Sequence, residues 1–254
     1  MKRGKVIVVT SGKGGTGKTV TAINLAASLH ALNKNVVLVD ANLTTPNVAI
    51  HLGAPVVPIT LNHVLKGNNS VKKAMYEHHS GLKVVPASIS LDALRNVKPE
   101  NLGKAIHDLR DYAEFIILDS SAGLGRESLS ALQQADEILV VTNPEMPAVT
   151  DALKTIKLAE KLRKNVLGVL ITRKKGRNEM KIKNIAYLLE KPIIGIVPED
   201  EAVEKSLMKK NAVVHIDPRS KASKAYINIA AKLLGKQKMP ESFLDRILSS
   251  LGLR

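Results

Sequence analysis

The chain contains no cysteine. That excludes disulfides, thiolate-held metals and cysteine-ligated iron–sulfur clusters. Tryptophan is absent as well, and aromatic residues make up only 2% of the sequence, which leaves few stacking platforms for the bases of single-stranded nucleic acid. No apolar run approaches the roughly 18 residues of a membrane-crossing helix. Lys2, Arg3 and Lys5 stand near the start, but the apolar stretch behind them reads as a short strand, not as the core of a secretory leader. A cytoplasmic protein is expected. Acidic residues are scarce too: 23 Asp and Glu face 38 Lys and Arg, for a net charge of +15. Such a balance implies attraction to an anionic partner, either an acidic membrane surface or nucleic acid, and the shortage of aromatics makes nucleic acid the less favoured of the two.

What is present is concentrated near the start. Gly12-Lys13-Gly14-Gly15-Thr16-Gly17-Lys18-Thr19 satisfies the phosphate-loop pattern G-x-x-x-x-G-K-[ST], and it lies between an apolar strand at 5–10 and a helical stretch at 20–32, the context the motif requires. Glycines let backbone N–H groups close around phosphate oxygens, and the free amides and dipole of a helix N-terminus favour negative charge. Lys18 is expected at the β- and γ-phosphates, the Thr19 hydroxyl on Mg²⁺, and Gly12, Gly14, Gly15, Thr16, Gly17 and Val20 around the nucleotide.

Further apolar runs at 36–39, 82–85, 115–118, 138–141, 166–171 and 193–197 alternate with helical stretches. Near-continuous apolar strands separated by helices imply a mostly parallel, twisted sheet covered on both faces, an α/β fold of three layers. Ligands of such sheets sit at the carboxyl ends of the strands, and Asp40, Asp119, Asn143 and Pro198 follow the runs at those ends. Residues 62–80 read as a surface excursion. His78 and His79 within it carry little metal signal, because adjacent residues on a regular element face apart and no third ligand is evident. Lysine and arginine are dense in the second half, around 173–183 and 209–224, and fit either solvated faces or an anion-facing surface.

The additional lysine inside the loop, in Lys13-Gly14-Gly15-Thr16-Gly17-Lys18-Thr19, resembles the signature of the deviant Walker A (ParA/MinD) P-loop ATPases. The resemblance spans about residues 6–234 in segment order, and the lack of cysteine argues against the family's iron-protein and iron–sulfur-carrier branches. It implies ATP, with ADP as product, and a homodimer in which Lys13 crosses to the phosphates held by the partner subunit. Asp40 to Asn47 is similar to the family's switch I, where the second acidic position here is Asn42. An amide hydrogen-bonds water but cannot take its proton, so Lys13, Lys18, Asp40 and Asn42 form the expected catalytic set with hydrolysis slowed. Asp119 matches the Walker B acid and joins Thr19 and Asp40 around Mg²⁺. The segment 120–123 resembles switch II, with Gly123 free to turn its amide toward the γ-phosphate. Thr142-Asn143-Pro144-Glu145 and Asp151 resemble the segment bordering the dimer face, although Glu145 and Asp151 also fit ordinary helix-start roles. For the base, Arg173, Pro198 and Asp200 are the expected contacts, and Thr172 stands where relatives often place an asparagine.

After Gly235 the character changes. Residues 1–235 form the expected P-loop domain and 236–254 a linker and tail, in which Ser242 and Asp245 have capping-box spacing and Phe243, Leu244, Ile247, Leu248 and Leu251 share one helical face. Such a tail fits a membrane interface, its own domain or a partner groove. Two tails on an ATP-held dimer would bind lipid far better than one. The resemblance therefore implies a MinD-like ATPase that associates reversibly with an anionic membrane, with a protein activator as a further partner. An ATP-binding dimer switch with negligible turnover and a ParA-like DNA-partitioning ATPase remain open alternatives.

Overall fold

The computed structural model describes residues 3–54, 57–67, 69–176 and 179–236. β1 (Lys5–Thr10) leads through the glycine-rich loop into α1 (Lys18–Ala31) and β2 (Val36–Asp40). Short elements follow: α2 (Val48–Leu52), α3 (Leu61–Leu65), α4 (Val71–Ala74), β3 (Tyr76–Glu77), β4 (Lys83–Val85) and α5 (Leu91–Leu94). Regular alternation then resumes with α6 (Leu102–Arg110), β5 (Phe115–Asp119), α7 (Arg126–Gln134), β6 (Glu137–Thr142), α8 (Met146–Lys161), β7 (Val166–Lys174), α9 (Ile182–Leu189) and β8 (Ile193–Pro198). Three helices close the described chain: α10 (Glu201–Met208), α11 (Val213–Ile216) and α12 (Lys221–Leu233).

The strands form one eight-stranded sheet in the order β3-β4-β2-β5-β1-β6-β7-β8. Every pairing is parallel except β3 with β4 at one edge. Side chains alternate between faces with a period of two. Ile7, Val9, Leu38, Ile117 and Leu139 pack into the cluster that contains α1, α11 and α12. Val6, Val8, Val39, Ile116, Leu118 and Val140 enter the opposite cluster, with α3, α6, α7, α8 and α9. Both faces are therefore covered, as the near-continuous apolar runs require. Because β1 lies between β5 and β6, connections leave it in opposite directions and a crevice opens at the carboxyl ends. The register there sets Asp40 beside Asp119.

Two stretches differ from the sequence reading. Residues 62–80 are not merely a surface excursion: Asn62, Leu65, Val71, Ala74 and His78 are buried, because α3, α4 and β3 fold back over the sheet margin. Polar Asn and His residues masked that apolar set. The rings of His78 and His79 do not face apart but lie with centroids 3.9 Å from each other, and among the described residues no group of three His, Asp or Glu is placed to hold a metal ion. Helix α1 starts at Lys18, two residues earlier than expected, because Gly17 takes a left-handed conformation (φ 82°) at its N-cap, which ordinary side chains resist. No described helix is long and apolar enough to cross a membrane. The tail residues Phe243, Leu244, Ile247, Leu248 and Leu251 lie outside the described residues.

α11 is held by the side chain of Asn24, whose Oδ1 accepts the Val213 amide at 2.8 Å. His215 on this helix pairs its Nδ1 with Asn211 Oδ1 at 2.9 Å, while its Nε2 is buried without a partner. Burial first, then the neighbouring His30, His78 and His79, push the His215 pKa down to about 4. The folded protein keeps this ring neutral where the unfolded chain, titrating near 6.5, takes up a proton. Stability therefore falls as pH drops from about 6.5 toward 4, by up to about 1.4 kcal/mol per pH unit for this one group. Urea unfolding across that window will show the decline, and His215→Phe will reduce its slope by up to one proton. An unchanged slope would remove His215 from the acid response.

Candidate nucleotide site

The phosphate loop encloses a cavity of about 340 Å³ lined by Ser11, Lys13, Gly14, Gly15, Gly17, Lys18, Thr19 and Val20 on one side, with Asn42, Thr45, Asn47 and His51 among the residues facing them. Gly12 closes the back: a Cβ there would sit 2.1 Å from the Asp151 carbonyl oxygen of α8, so no larger residue fits without moving loop or helix. The Lys13 carbonyl accepts from Ser11 Oγ at 2.9 Å and Thr16 Oγ1 at 3.4 Å. These bonds fix the loop backbone while the Lys13 residue itself is exposed, and its ammonium forms no ion pair among the described residues.

Behind the loop, electrostatics are unbalanced. Lys18 Nζ is 2.8 Å from Asp119 Oδ1, with both side chains buried, and Asp119 Oδ2 is buried with no partner. Asp40, in register with Asp119 on the neighbouring strand, accepts from the amides of Asn42 at 3.2 Å and of Asn47 and Val48, each at 3.1 Å. Its carboxyl is nevertheless pushed up to about 8, chiefly by burial and then by the Asp119 charge. Two carboxyl groups side by side with one cation call for more positive charge. A hydrated divalent ion fits that deficit: Asp119 offers an uncommitted oxygen, and Thr19 lines the same cavity with no side-chain hydrogen bond among the described residues. Magnesium bound by few protein groups and several waters matches this donor set.

The expected switch residues are placed as follows. Asn42 is buried, and its amide holds the Thr45 carbonyl at 2.5 Å and the Thr45 hydroxyl at 3.1 Å, so it shapes its own turn. The Gly123 amide donates to the Ser11 carbonyl at 3.0 Å from a left-handed backbone (φ 81°). Glu145 stands at the N-cap of α8 but makes no side-chain capping bond, and Asp151 pairs with Lys154 at 3.0 Å.

A second cavity of about 190 Å³ adjoins the first through Gly17, Val20 and Arg173. Val197, Pro198, Asp200, Val203 and Tyr226 line it as well, so Val20, Arg173, Pro198 and Asp200 come together beside the phosphate loop. Both Asp200 oxygens are committed, one to the Ala202 amide and one to the Ala222 amide, each at 3.0 Å. This residue builds the cavity wall by capping α10 and tying down the start of α12. Lys174, from the basic stretch nearby, is paired with Glu179.

Glu127 and His51 escaped the sequence reading, and so did the structural role of Thr172. Thr172 Oγ1 donates to the Thr16 carbonyl at 2.6 Å, joining β7 to the phosphate loop. Glu127, on α7, accepts from the Leu43 amide at 3.1 Å and the Thr44 hydroxyl at 2.5 Å, which latches the loop after β2. His51 reaches the phosphate cavity because α2 folds over it. None of the three belongs to a motif, and each acts across a long stretch of chain or through a fold-dependent face.

A strand, a glycine loop holding a buried lysine, and two strand-end aspartates define a P-loop nucleoside-triphosphate-binding protein. The sequence profile of the CobQ/CobB/MinD/ParA nucleotide-binding domain matches residues 7–213, and the chain belongs to that family. It is 38% identical over 252 residues to an uncharacterised ATP-binding protein of Methanocaldococcus jannaschii, covering 96% of each chain. Among solved structures it is similar to the cell division ATPase MinD of Pyrococcus furiosus, with TM-score 0.87, 31% identity and coverage of 91% of this chain and 99% of the other. It is likewise similar to the septum site-determining protein MinD of Pyrococcus horikoshii complexed with Mg-ADP, with TM-score 0.86, 30% identity and coverage of 90% and 95%. The family comprises ATP-binding proteins that use Mg²⁺, and its MinD and ParA members are ATPases.

Removing Lys18 leaves Asp119 buried without its cation. Lys18→Met will lower the unfolding free energy of the nucleotide-free protein by about 3 kcal/mol, and adding Asp119→Asn will recover most of the loss. Urea denaturation of the single and double variants checks both; additive losses would contradict the pairing.

Proposed function

We propose that this protein is a MinD-like ATPase that dimerises on Mg-ATP, associates reversibly with an anionic membrane through residues 236–254, and lets go after slow hydrolysis, serving spatial positioning of the division site or other cellular machinery. The observation that carries this reading is the pairing of an occupied lysine with an unoccupied one. Lys18 sits in the site against Asp119. Lys13, in the same loop, is exposed and has no acidic partner among the described residues.

ATP supplies the phosphates that both lysines answer, and bound magnesium supplies the charge that Asp40 and Asp119 lack. On that reading Lys18 exchanges the Asp119 carboxylate for phosphate oxygens, so the ion pair of the empty site becomes a metal-binding acid and a phosphate-binding base. Loop amides hold the triphosphate, Thr19 and Asp119 hold the metal, and Asp40 keeps α2 in place through the Asn47 and Val48 amides. Lys13 answers the phosphates of the opposing subunit, placing positive charge where negative charge develops during phosphoryl transfer. The base lies in the cavity of Val20, Arg173 and Pro198, its wall shaped by Asp200.

Asn42 supports a second reading, an ATP-held dimer with negligible turnover, because its amide is engaged with Thr45 and cannot act as a base. Phosphate release decides between them: measurable wild-type turnover that Lys18→Ala abolishes supports the ATPase, and a rate that appears only in Asn42→Asp supports the switch.

Light scattering with saturating Mg-ATP will show a doubled mass for the wild type. Lys13→Ala will bind a fluorescent ATP analogue yet stay at single mass. A chain ending at Gly235 will dimerise but will not sediment with phosphatidylglycerol vesicles. Single mass for the wild type under saturating Mg-ATP overturns the dimer, and equal sedimentation of the shortened chain overturns the tail's role.

A further inference from the structure

The wall facing the phosphate loop is made of Asn42, Thr45, Asn47 and His51. Three of these four are tied to one another. Asn42 Nδ2 donates to Thr45, and Asn47 Nδ2 donates to the Thr45 carbonyl at 2.9 Å. Among the described residues, His51 alone on this wall makes no side-chain hydrogen bond, and its Nδ1 is buried without a partner. A buried ring nitrogen left unpaired costs free energy unless something absent from the empty site completes it.

The placement of His51 follows from the chain around it. Asp40 accepts the amides of Asn47 and Val48 and so fixes the first turn of α2. Residues four apart share a helix face, which sets His51 above Asn47 on the cavity side, while Val48 and Leu52 both enter the core shared with α1, α11 and α12. Apart from the hydroxyls of Ser11 and Thr19, the remaining polar side chains around the cavity, Lys13, Lys18 and Arg173, are cationic, and no carboxylate is among the lining residues. The charged neighbours that face the ring are Asp119 and Lys18; burial, helped by the Lys18 charge, outweighs the Asp119 carboxylate and draws the pKa below the ordinary histidine value. A neutral imidazole keeps one lone pair for a donor.

We propose that His51 is a catalytic residue that accepts a hydrogen bond from the water attacking the terminal phosphate, the task for which Asn42 has no free group. The inference rests on the ATPase reading given above. In the step, the water oxygen forms a bond to the terminal phosphorus and the bond from that phosphorus to the bridging oxygen breaks, its electron pair leaving on ADP. The water proton ends on the released phosphate. His51 orients the water and is not consumed.

The test uses the full chain. His51→Leu will lower kcat roughly tenfold, the worth of one hydrogen bond in the transition state. His51→Gln, which retains an acceptor, will stay within about threefold of wild type. ADP affinity and Mg-ATP-dependent doubling of mass will be unchanged in both, as a disturbed fold would not allow. Trapping of ADP with aluminium fluoride, which mimics the attacked phosphoryl group and its water, will weaken in His51→Leu and persist in His51→Gln. Equal kcat and equal trapping in wild type and His51→Leu would overturn the role of His51 and leave the ATPase standing. Absence of phosphate release from the wild type would overturn the ATPase reading and this role with it. A parallel loss of ADP affinity and kcat in both variants would make His51 a structural residue.

Discussion

Two adjacent strands end in carboxyl groups that neither water nor enough positive charge reaches. Asp40 and Asp119 stand in register at the carboxyl ends of β2 and β5, both without exposed surface, and Lys18 neutralises one of them. Much of the site is arranged around that shortage. The glycine loop brings Lys18 inward, the Thr19 hydroxyl stays uncommitted, and three amides of the segment after β2 converge on Asp40. A phosphate-bound divalent ion would supply the missing charge.

The remainder of the architecture keeps this arrangement from relaxing. Gly12 lies against the backbone of α8 at a separation that leaves no room for a side chain, and α1 is buried along nearly its whole length between the sheet and α12. Interiors packed this closely transmit displacement instead of absorbing it. A shift of the loop is therefore felt by α8 and by α1 together. Glu127 adds a polar link on the other side, joining the segment after β2 to α7 through two backbone amides and a hydroxyl.

The sheet, its two covered faces and the phosphate loop were legible in the sequence because their signals are local: apolar runs of β-branched residues, and a motif of eight consecutive positions. The cavity adjoining the phosphate loop was partly legible. Arg173 and Pro198 do line it, whereas Asp200 spends both oxygens on helix amides, a role that depends on where α12 begins. Residues 62–80 were misread because their buried apolar positions are scattered among Asn, His and Lys. Glu127 lies 84 residues from the amide it holds, and Thr172 lies 156 residues from the carbonyl it holds. Contacts at such separations are products of the topology, and no spacing within one segment encodes them.

The Thr172 hydroxyl has one proton and two carbonyl neighbours, Thr16 at 2.6 Å and Thr142 at 3.3 Å. It thereby rivets three chain segments, the glycine loop, β6 and β7, at a single atom in the wall of the cavity that Arg173 and Pro198 line. The two adjoining cavities so joined behave as one rigid cradle, and pressure on the wall of one is delivered as strain or relief to the glycine loop of the other.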